Sequence, residues 1–391
     1  MNKIEELIEQ LCPNGVVFKD IETLINNKSV STITPPRKLT KNFYQTIGAI
    51  PIIDQGQDFI IGYTDNEEVI IDKGLYVIFG DHTEVFKYVD FPFAQGADGI
   101  KIIKTNPSVI VSKFLYYALN SYYIKTGKYT RHFSFLKKTF IPIPPLAIQQ
   151  EIVSILDKFT TLAVNLKDEL QARTRQYEYY RNELFNFEGK EAQWETMGEI
   201  GTFIRGRRFV KDDITTEGVP CIHYGEMYTH YKIWAKKAKS FLEPTLAAKL
   251  RVAHPGDVVI VAAGETIEDI GNGVAWLGES DIVIHDACFT YSHSLNPKYV
   301  SYYLQTNLFR SQIKKYISSG KISSINAPGL SKARIPIPPM EEQERIVGIL
   351  DKFNTLVNDI SVGLPAEIQA RRNQYEYYRG KLLDFKSISN G

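Results

Sequence analysis

Two stretches of this 391-residue sequence carry basic side chains without a single acidic one. Residues 99–150 contain eight Lys and Arg, and residues 287–334 contain seven. The formal charge of the whole chain is only +1, so these bases are concentrated rather than abundant. Tyr and Phe are interleaved with them in both stretches. Clustered bases beside aromatic rings are typical of a surface that neutralises phosphates, and the pattern therefore favours duplex nucleic acid as a ligand.

The aromatic residues of these stretches also allow a structural interpretation. Pairs such as Tyr116 with Tyr117 and Tyr302 with Tyr303 would suit the core-facing stripe of a helix, with lysines on its solvated side. For the aromatic residues alone this interpretation is the stronger one. The absence of acids from both stretches is what favours binding.

The best candidates for contacting nucleic acid are loops that combine Gly or Ser with bases and amides. Arg and Lys read guanine in the major groove and Asn and Gln read adenine, while phosphate contacts fix the register. Glu226 is included because Glu can accept a hydrogen bond from cytosine. The expected DNA-binding residues are Lys125, Lys128, Arg131, His132, Ser134, Lys137 and Lys138 in the first half, and Arg207, Arg208, Tyr224, Glu226, Tyr228, Lys314, Lys315, Lys321, Ser323, Ser324 and Asn326 in the second.

Side chains capable of catalysis are present, but not in a recognisable arrangement. His82 follows Asp81, and Cys221 lies two residues before His223, yet a structural or DNA-contacting role suits these histidines better. The sequence has no phosphate-binding loop, no HExxH or CxxC metal spacing and no Asp/Asn-Pro-Pro-Tyr/Phe motif. We therefore expect no catalytic residue, metal or cofactor in this chain. Three cysteines and no long apolar run predict a protein of the reducing cytoplasm.

The elements that position these residues come from a tandem duplication. The block IPIPP occurs at residues 141–145 and again at 335–339, and each copy is followed by ILDKF, QAR and the hexapeptide QYEYYR. Short β-branched runs and Gly-rich turns precede each copy, and they predict a mixed α/β domain. Residues 187–193 are the expected hinge between the repeats.

Each IPIPP block opens a long amphipathic stretch whose apolar residues alternate at steps of three and four, which predicts a coiled coil. The offset between the repeats rises from 194 residues at Ile141 and Ile335 to 198 at Gln176 and Gln374. The second stretch thus has four extra residues, and Gly363 indicates a kink there. The predicted fold is α+β, with two mixed α/β domains joined by two long antiparallel coiled-coil helices in a pseudo-two-fold repeat. A parallel stack with both domains at one end is the alternative.

The paired IPIPP-to-ILDKF and QYEYYR segments, together with LCPNGV at 11–16 and GEIGTFIRG at 198–206, resemble the specificity subunit of type I restriction-modification systems. The resemblance covers essentially the whole chain. It implies a target recognition domain at 1–140, a conserved helical region at 141–187, a second recognition domain at 188–334 and a second helical region at 335–391. Each recognition domain would read one half of a bipartite, asymmetric DNA site.

The resemblance also implies partners. Two modification subunits would dock on the helices and supply S-adenosylmethionine, and restriction subunits would join to cleave DNA with ATP and Mg. This chain would therefore bind double-stranded DNA but not be an enzyme by itself. The helix residues expected to bind partners are Ile152, Phe159, Tyr177, Tyr180, Ile346, Phe353, Tyr375 and Tyr378.

Two other classes of protein remain open from the sequence. One is a scaffold or adaptor whose coiled coil binds proteins and whose two domains bind ligands such as peptides. The other is a stand-alone DNA-modifying enzyme. Neither explains two acid-free basic stretches at equivalent places in a duplicated sequence.

Overall fold

The computed structural model describes residues 3–96, 99–188 and 192–388. Its contacts divide the chain into two compact units. Unit 1 consists of Met1–Leu166 with Ile368–Gly391, and unit 2 of Lys167–Glu367. Unit 1 is therefore built from both ends of the sequence. Residues 189–191 of the expected hinge lie outside the described residues.

Unit 1 is a mixed α/β structure in which the first conserved helix begins. Its helices are α1 (Lys3–Leu11), α2 (Ile21–Asn26), α3 (Ser112–Tyr122), α4 (Phe133–Lys137) and the start of α5 (Leu146–Leu184). Its strands are β1 (Phe18–Asp20), β2 (Val30–Ile33), β3 (Ile50–Ile53), β4 (Gly62–Thr64), β5 (Ile70–Ile71), β6 (Tyr76–Gly80), β7 (Phe86–Val89), β8 (Phe93–Gln95), β9 (Ile100–Thr105) and β10 (Phe140–Pro142).

Unit 2 repeats this arrangement with additional short elements. Its helices are α6 (Met197–Ile200), α7 (Glu226–Thr229), α8 (Pro244–Ala247), α9 (Pro297–Tyr303), α10 (Asn307–Ile313), α11 (Ala327–Ser331) and α12 (Met340–Asn358). The last helix, α13 (Leu364–Leu383), begins in unit 2 and lies mostly in unit 1. The strands of unit 2 are β11 (Gln193–Thr196), β12 (Gly201–Arg205), β13 (Ile214–Thr215), β14 (Val219–Ile222), β15 (Trp234–Ala235), β16 (Ser240–Leu242), β17 (Val252–Ala253), β18 (Val258–Val261), β19 (Ala263–Gly264), β20 (Gly273–Trp276), β21 (Ile282–Ile284), β22 (Cys288–His293), β23 (Ser323–Ser324) and β24 (Arg334–Ile337).

The two units share the order of their main sheets. Unit 1 has β2-β9-β6-β7, and unit 2 has β12-β22-β18-β20-β15. The central strands β6 and β18 are buried at every residue, which explains why their sequences are apolar on both faces. Each unit also has a second sheet, β4-β3-β8-β5 in unit 1 and β13-β16-β14-β21-β17 in unit 2. In both second sheets one central pair is parallel, β3 with β8 and β14 with β21.

Each IPIPP block begins as a strand that closes its unit. β10 pairs with the opening strand β1, and β24 pairs with the opening strand β11. A Gln lies four residues after each block and is fully or almost fully buried. Its side chain forms hydrogen bonds with backbone N–H and C=O groups around the block. Gln149 accepts from the Val111 N–H and donates to Pro144, as Gln343 accepts from Asn296 and donates to Pro338. The repeated motif is therefore a structural joint between sheet and helix.

The Asp of each ILDKF motif joins its helix to an earlier helix of the same unit, α5 to α3 in unit 1 and α12 to α9 in unit 2. The carboxylate of Asp157 accepts from Lys113 at 2.8 Å and from the Tyr117 hydroxyl at 2.6 Å. Asp351 does the same with Lys298 and Tyr302, at 2.6 and 2.7 Å. One lysine of each acid-free stretch is thus engaged by an acid from outside the stretch.

The second conserved region is not one long helix, as the sequence predicted, but two. α12 ends at Asn358 and α13 begins at Leu364, so the predicted kink is a break. The Asp359 side chain accepts from the N–H groups of Ser361 and Val362 and turns the chain. Pro365 is tolerated because it lies in the first turn of α13, where its missing N–H has no helical partner to bond. By contrast, α5 is continuous over 39 residues.

Within each unit, an aromatic residue of one sequence repeat stacks on an aromatic residue of the other repeat. In unit 1, Phe159 of the first ILDKF stacks on Tyr378 of the second QYEYYR, with ring centroids 5.4 Å apart. In unit 2, Tyr180 of the first QYEYYR stacks on Phe353 of the second ILDKF at 5.5 Å. Each ILDKF thus meets the QYEYYR of the other repeat, which agrees with helices that run in opposite directions.

An Asn-Pro pair occurs at Asn106 in the first repeat and at Asn296 in the second, and each pair predicts the start of a short helix because Pro is tolerated in the first turn. Asn296 caps α9 and Pro297 is its first residue, as the sequence indicated. Asn106 and Pro107 instead open a turn, and α3 begins only at Ser112. The prediction for the first domain was wrong because Asn-Pro suits a turn as well as a helix start.

Candidate nucleic-acid interface

Cleft 1 is a depression of about 490 Å³ in unit 1, beside the end of β2, the turn after β6 and the start of β9. Three bases line it, namely Lys38, Lys101 and Arg131. His82 lines it too, and its buried Nδ1 has no hydrogen-bond partner among the described residues. An unpaired buried nitrogen beside three cations can serve a ligand that supplies the missing partner. The remaining lining residues are Thr32, Ile33, Thr34, Pro35, Asp81, Gln95, Gly99, Ile100 and Ile102.

Cleft 2 occupies the equivalent place in unit 2, beside the end of β12, the turn after β18 and the start of β22. It measures about 790 Å³ and carries Arg205, Arg208, Lys211 and Lys321. Its remaining lining residues are Phe209, Val210, His223, Tyr224, Ala263, Gly264, Glu265, His285, Asp286, Ala287 and Ile322. The same position in the duplicated fold therefore holds a basic cleft in both units.

The parallel pair of the second sheet explains why two histidines meet in cleft 2. His223 directly follows β14 and His285 directly follows β21, and the carboxyl ends of neighbouring parallel strands lie at the same edge of a sheet. The imidazole centroids are 4.8 Å apart, and the ring of Tyr224 lies 4.6 Å from that of His223. In unit 1 the residues after the equivalent strand β3 are Asp54 and Gln55. The two clefts therefore differ in chemistry at their inner edge.

Burial keeps both histidines of cleft 2 neutral more readily than in water. The pKa of His223 lies below its ordinary value because the ring is partly desolvated, although Glu226 opposes the shift. Desolvation likewise lowers the pKa of His285, against the effect of Asp286. Neutral rings offer one donor and one acceptor each, so cleft 2 combines adaptable hydrogen bonding with cations at its rim.

Three loops predicted from the sequence come together at cleft 2. Arg208, Tyr224 and Lys321 belong to segments that are far apart in the sequence and line the same cleft. The close approach depends on Gly206, where a Cβ atom would collide with the backbone oxygen of His285. Arg207 is exposed and donates to the carbonyl of Lys249, outside the lining.

In unit 1 most predicted contact residues are exposed on the loop that leads to α4 or on α4 itself. Arg131 alone of this group lines cleft 1. Lys137 is only half exposed and pairs with Glu22 at 3.3 Å. The exposed members are Lys125, Lys128, Arg131, Ser134 and Lys138.

Besides Ser323, which is described below, two predicted contact residues are revised because they are buried. His132 has no exposed surface, and its nitrogens face Glu84 and the carbonyl of Lys128. The Glu226 carboxylate accepts from the Ser240 hydroxyl and from the N–H of His223. Both residues hold the backbone beside a cleft and do not face solvent. The sequence does not indicate this, because Glu84 and Ser240 are distant in sequence from the side chains that they contact.

The other residues of unit 2 that were predicted to contact DNA differ in exposure and in their hydrogen-bond partners. Ser323 is buried in β23, which pairs with β19, and Asn326 caps α11 through its side chain. Ser324 shares hydrogen bonds with Ser318, and the Tyr228 hydroxyl donates to Ala263. Lys314 and Lys315 are exposed after α10, outside the lining of cleft 2.

The sequence missed several lining residues. Lys38 and Arg205 lie at or soon after the end of equivalent strands, and Lys101 lies in β9. Aligning the two domains by their strand order, rather than by identity, would have pointed to the first two. His285 was not considered, because nothing in the sequence places it beside His223.

The helix residues predicted to bind partners divide into buried and exposed sets. Ile152, Tyr177 and Ile346 are buried within their own units and are removed from that prediction. Phe159, Phe353 and Tyr375 are half-buried, while Tyr180 and Tyr378 are exposed at the stacks described above. The most exposed rings of the hexapeptides were missed: Tyr179 is 61% exposed and Tyr377 is 57% exposed.

Within residues 3–96, 99–188 and 192–388, no cluster of three or more His, Cys, Asp or Glu is arranged to hold a metal ion. Across the same residues, every helix is too short or too polar to cross a lipid bilayer.

The chain is similar in sequence to proteins of a known family. Residues 19–173 and 191–370 match the type I restriction modification DNA specificity domain. A type I restriction enzyme specificity subunit of Escherichia coli is 32% identical across 90% of this chain and 91% of its own. A putative type I restriction enzyme specificity subunit of Haemophilus influenzae is 29% identical, with 98% of both chains covered.

Solved structures share the fold at lower identity. The S subunit of a type I restriction-modification system from M. genitalium has a TM-score of 0.55 at 15% identity, covering 95% of this chain and 97% of its own. A chain from work on complex assembly and conformational transition of the type I R-M system has a TM-score of 0.60 at 17% identity, covering 95% and 98%. Since the specificity domain matches twice and spans most of the sequence, this chain belongs to the family of type I restriction-modification specificity subunits.

Proposed function

We propose that this chain reads a bipartite, asymmetric sequence of double-stranded DNA, with cleft 1 facing one half-site and cleft 2 facing the other. The observation that carries the proposal is the pair of basic clefts at the same position of a duplicated fold. Cations at each rim suit phosphates, and the polar groups inside suit base edges.

The two clefts are lined by different side chains, which supports a target whose two half-sites differ in sequence. Cleft 1 presents Thr32, Thr34 and Gln95, which suit adenine or mixed donor-acceptor edges. Cleft 2 presents imidazole and phenol groups together with arginines, which suit the acceptor-rich edge of guanine. A symmetric target would require matching groups at equivalent positions.

We also propose that the chemistry of methylation and cleavage resides in other subunits. Two modification subunits would bind the exposed hexapeptide faces around Tyr179 and Tyr377 and carry S-adenosylmethionine, and restriction subunits would carry ATP and Mg. This chain would bind no cofactor itself. It would act as a non-enzymatic component of a cytoplasmic complex.

Methylome sequencing of the host with and without this gene tests the proposal. We expect one bipartite methylated motif with two different halves to disappear on deletion. Retention of all motifs would contradict the proposal. Methylation or cleavage by the purified chain alone would instead favour a stand-alone enzyme.

An adaptor role is tested by binding of the purified chain to duplex DNA at increasing salt. Phosphate contacts release counterions, so affinity should fall steeply with salt concentration. An adaptor that binds peptides would show no such binding to DNA.

A further inference from the structure

The loop between α3 and α4 of unit 1 has no helix or strand of its own. It carries three exposed cations, Lys125, Lys128 and Arg131, and Tyr129 is 91% exposed. Self-repelling, solvated segments of this kind do not order themselves by burial of apolar surface. The contacts that define its conformation must therefore come from elsewhere in the unit.

Those contacts converge on Glu84, in the turn between β6 and β7. Its side chain is buried and its backbone has a φ of 56°, which is unusual for a residue with a side chain. The carboxylate accepts from the N–H of Thr126 at 2.8 Å, the N–H of Gly127 at 3.0 Å and the Tyr123 hydroxyl at 2.8 Å. Three donors from one loop thus bind a single buried carboxylate.

The fourth partner of Glu84 is His132, at the other end of the same loop. Its Nδ1 lies 3.2 Å from Glu84 Oε1, and its Nε2 lies 2.7 Å from the carbonyl oxygen of Lys128. The Lys128 carbonyl only accepts hydrogen bonds, so Nε2 carries the hydrogen of that bond, while Nδ1 also lies 3.3 Å from the Thr126 hydroxyl. The pair is a buried imidazole beside a buried carboxylate, and both contact the loop.

Hydrogen bonds from the loop and from the β6–β7 turn surround this pair. Desolvation opposes the charged form of Glu84, but the bonds from Thr126, Tyr123 and Gly127 and the charge of His132 outweigh it and lower the pKa of Glu84. From the β6–β7 turn, Asp81 accepts from the backbone N–H of His132 through its carbonyl and from the N–H of Phe133 through its carboxylate at 2.7 Å. His82 of the same turn stacks on Tyr129.

The equivalent loop of unit 2 is held in another way. It lies between α10 and α11, and its β23 pairs with β19 through Gly264 with Ser323 and Ala263 with Ser324. A backbone ladder therefore does in unit 2 what the buried Glu84 carboxylate and its partners do in unit 1. A change in Glu84 should act on one unit only.

We infer that Glu84 and His132 are positioning residues for the first unit, which fix the 124–131 loop in the conformation that reads one half-site. The inference rests on the proposed DNA-reading function. Neither side chain touches DNA itself, because both are buried. Their effect is to present Arg131 to cleft 1 and the two lysines to the phosphates beside it.

Glu84→Gln is the sharpest test, because it preserves the shape of the side chain. It removes the charge opposite His132 and turns one acceptor oxygen into an amide donor that faces backbone N–H groups. His132→Gln and the double variant complete a mutant cycle. Glu67→Gln is the matched control, since Glu67 is an exposed acid of the same unit that belongs neither to the 124–131 loop nor to the lining of cleft 1.

The full chain is titrated with a duplex carrying the motif identified by methylome sequencing and with two duplexes in which one half is scrambled. The half-site of unit 1 is the one whose discrimination falls in Arg131→Ala. We expect Glu84→Gln to lower discrimination at that half by about tenfold, the value of one charge-assisted hydrogen bond, and to leave the other half unchanged. Hydrogen exchange in 124–131 should accelerate without DNA, and the double variant should be little worse than either single one.

The possible failures are distinguishable. If the wild-type chain does not discriminate between the motif and the scrambled duplexes, the proposed function is wrong. If it does, but Glu84→Gln retains discrimination at both halves, only the positioning role is wrong. An equal loss at both halves would show general destabilisation and would also overturn the inference.

Discussion

Arg131 and Arg208 illustrate at the level of single residues how each cleft could contribute to sequence reading. Both are exposed arginines at the rim of a cleft, one in each unit. A guanidinium can bind the edge of guanine or a backbone phosphate, in either case through two parallel hydrogen bonds, but only the contact to guanine reads sequence. The two roles predict different consequences of substitution.

We expect Arg131→Ala and Arg208→Ala each to lower the affinity for the motif duplex by about 1–3 kcal/mol and to relax discrimination at one half-site only. Binding titrations with single-base variants of the motif would measure this. Arg175→Ala, which removes an exposed arginine from α5, is the control and should leave discrimination intact. Uniform weakening across all duplexes would instead assign the arginines to phosphates.

His293 makes the stability of unit 2 dependent on pH. Burial lowers the pKa of His293 from 6.5 to about 4, although Asp257 opposes the shift. Between these values the unfolded chain binds a proton that the folded chain does not. The stabilising effect of the neutral ring is therefore complete above pH 6.5 and is lost as the pH falls toward 4.

We expect the free energy of unfolding of unit 2 to fall by roughly 1.4 kcal/mol per pH unit across this window. Urea unfolding at about pH 7 and about pH 5 would measure the change. His293→Gln should flatten the dependence, whereas His230→Gln, at an exposed position, should not. An unchanged slope in His293→Gln would rule out this source.

At the scale of elements, the ILDKF and QYEYYR segments contain residues that pack inside a unit and residues that are exposed to solvent. Asp157 and Asp351 secure helix to helix inside each unit, whereas Tyr179 and Tyr377 point to solvent. The stripe of apolar and aromatic residues predicted partner binding for Tyr177 and Tyr180 instead, and Tyr177 is buried. Only the packing shows which residues are available to another subunit.

Asp157→Asn should destabilise unit 1 by about 1–3 kcal/mol, because it removes the charge opposite Lys113 and weakens the bond from Tyr117. Chemical unfolding followed in each unit separately would measure the effect. Asp168→Asn, at an exposed position of α5, is the control. A loss confined to unit 2 would contradict the assignment.

The double variant Tyr179→Ala with Tyr377→Ala should weaken association with modification subunits by about 2 kcal/mol or more, as for exposed aromatic anchors, and leave DNA affinity unchanged. Co-sedimentation with a modification subunit and a DNA titration would measure both properties. Val164→Ala, at an exposed apolar position of α5, is the control. Normal association of the double variant would place the docking surface elsewhere.

For the whole molecule, the sequence predicted the duplication and the α+β class. These features follow from local patterns and from identity between the repeats. The sequence did not show that unit 1 includes Ile368–Gly391, because that grouping depends on contacts such as Phe159 with Tyr378. Nor did it show the histidine pair of cleft 2 or the Glu84–His132 pair, whose partners are distant in sequence.

The four extra residues of the second repeat lead to a prediction about the target site. The chain passes between the units within α5 and again within α13, close to the break after α12. Deleting residues 362–365 shortens the segment that joins α12 to α13 and removes the first two residues of α13. Four residues of helix would span about 6 Å, against about 3.4 Å per base pair. We expect the spacer between half-sites to change by about one or two pairs, as read by methylome sequencing. Val362→Ala keeps the length and should keep the spacing, while an unchanged spacer in the deletion variant would exclude helix length as its determinant.

Unit 1 is built from two segments that are far apart in the sequence, which affects how it folds during synthesis. The ribosome releases the sheets of unit 1 first, but the segment that completes its core, including Leu382 and Leu383, emerges only after all of unit 2. During that interval the apolar face of α5 that later meets α13 stays uncovered. Nascent chains should therefore depend on chaperones until translation reaches the final helix, and stalled products should be prone to aggregation and proteolysis.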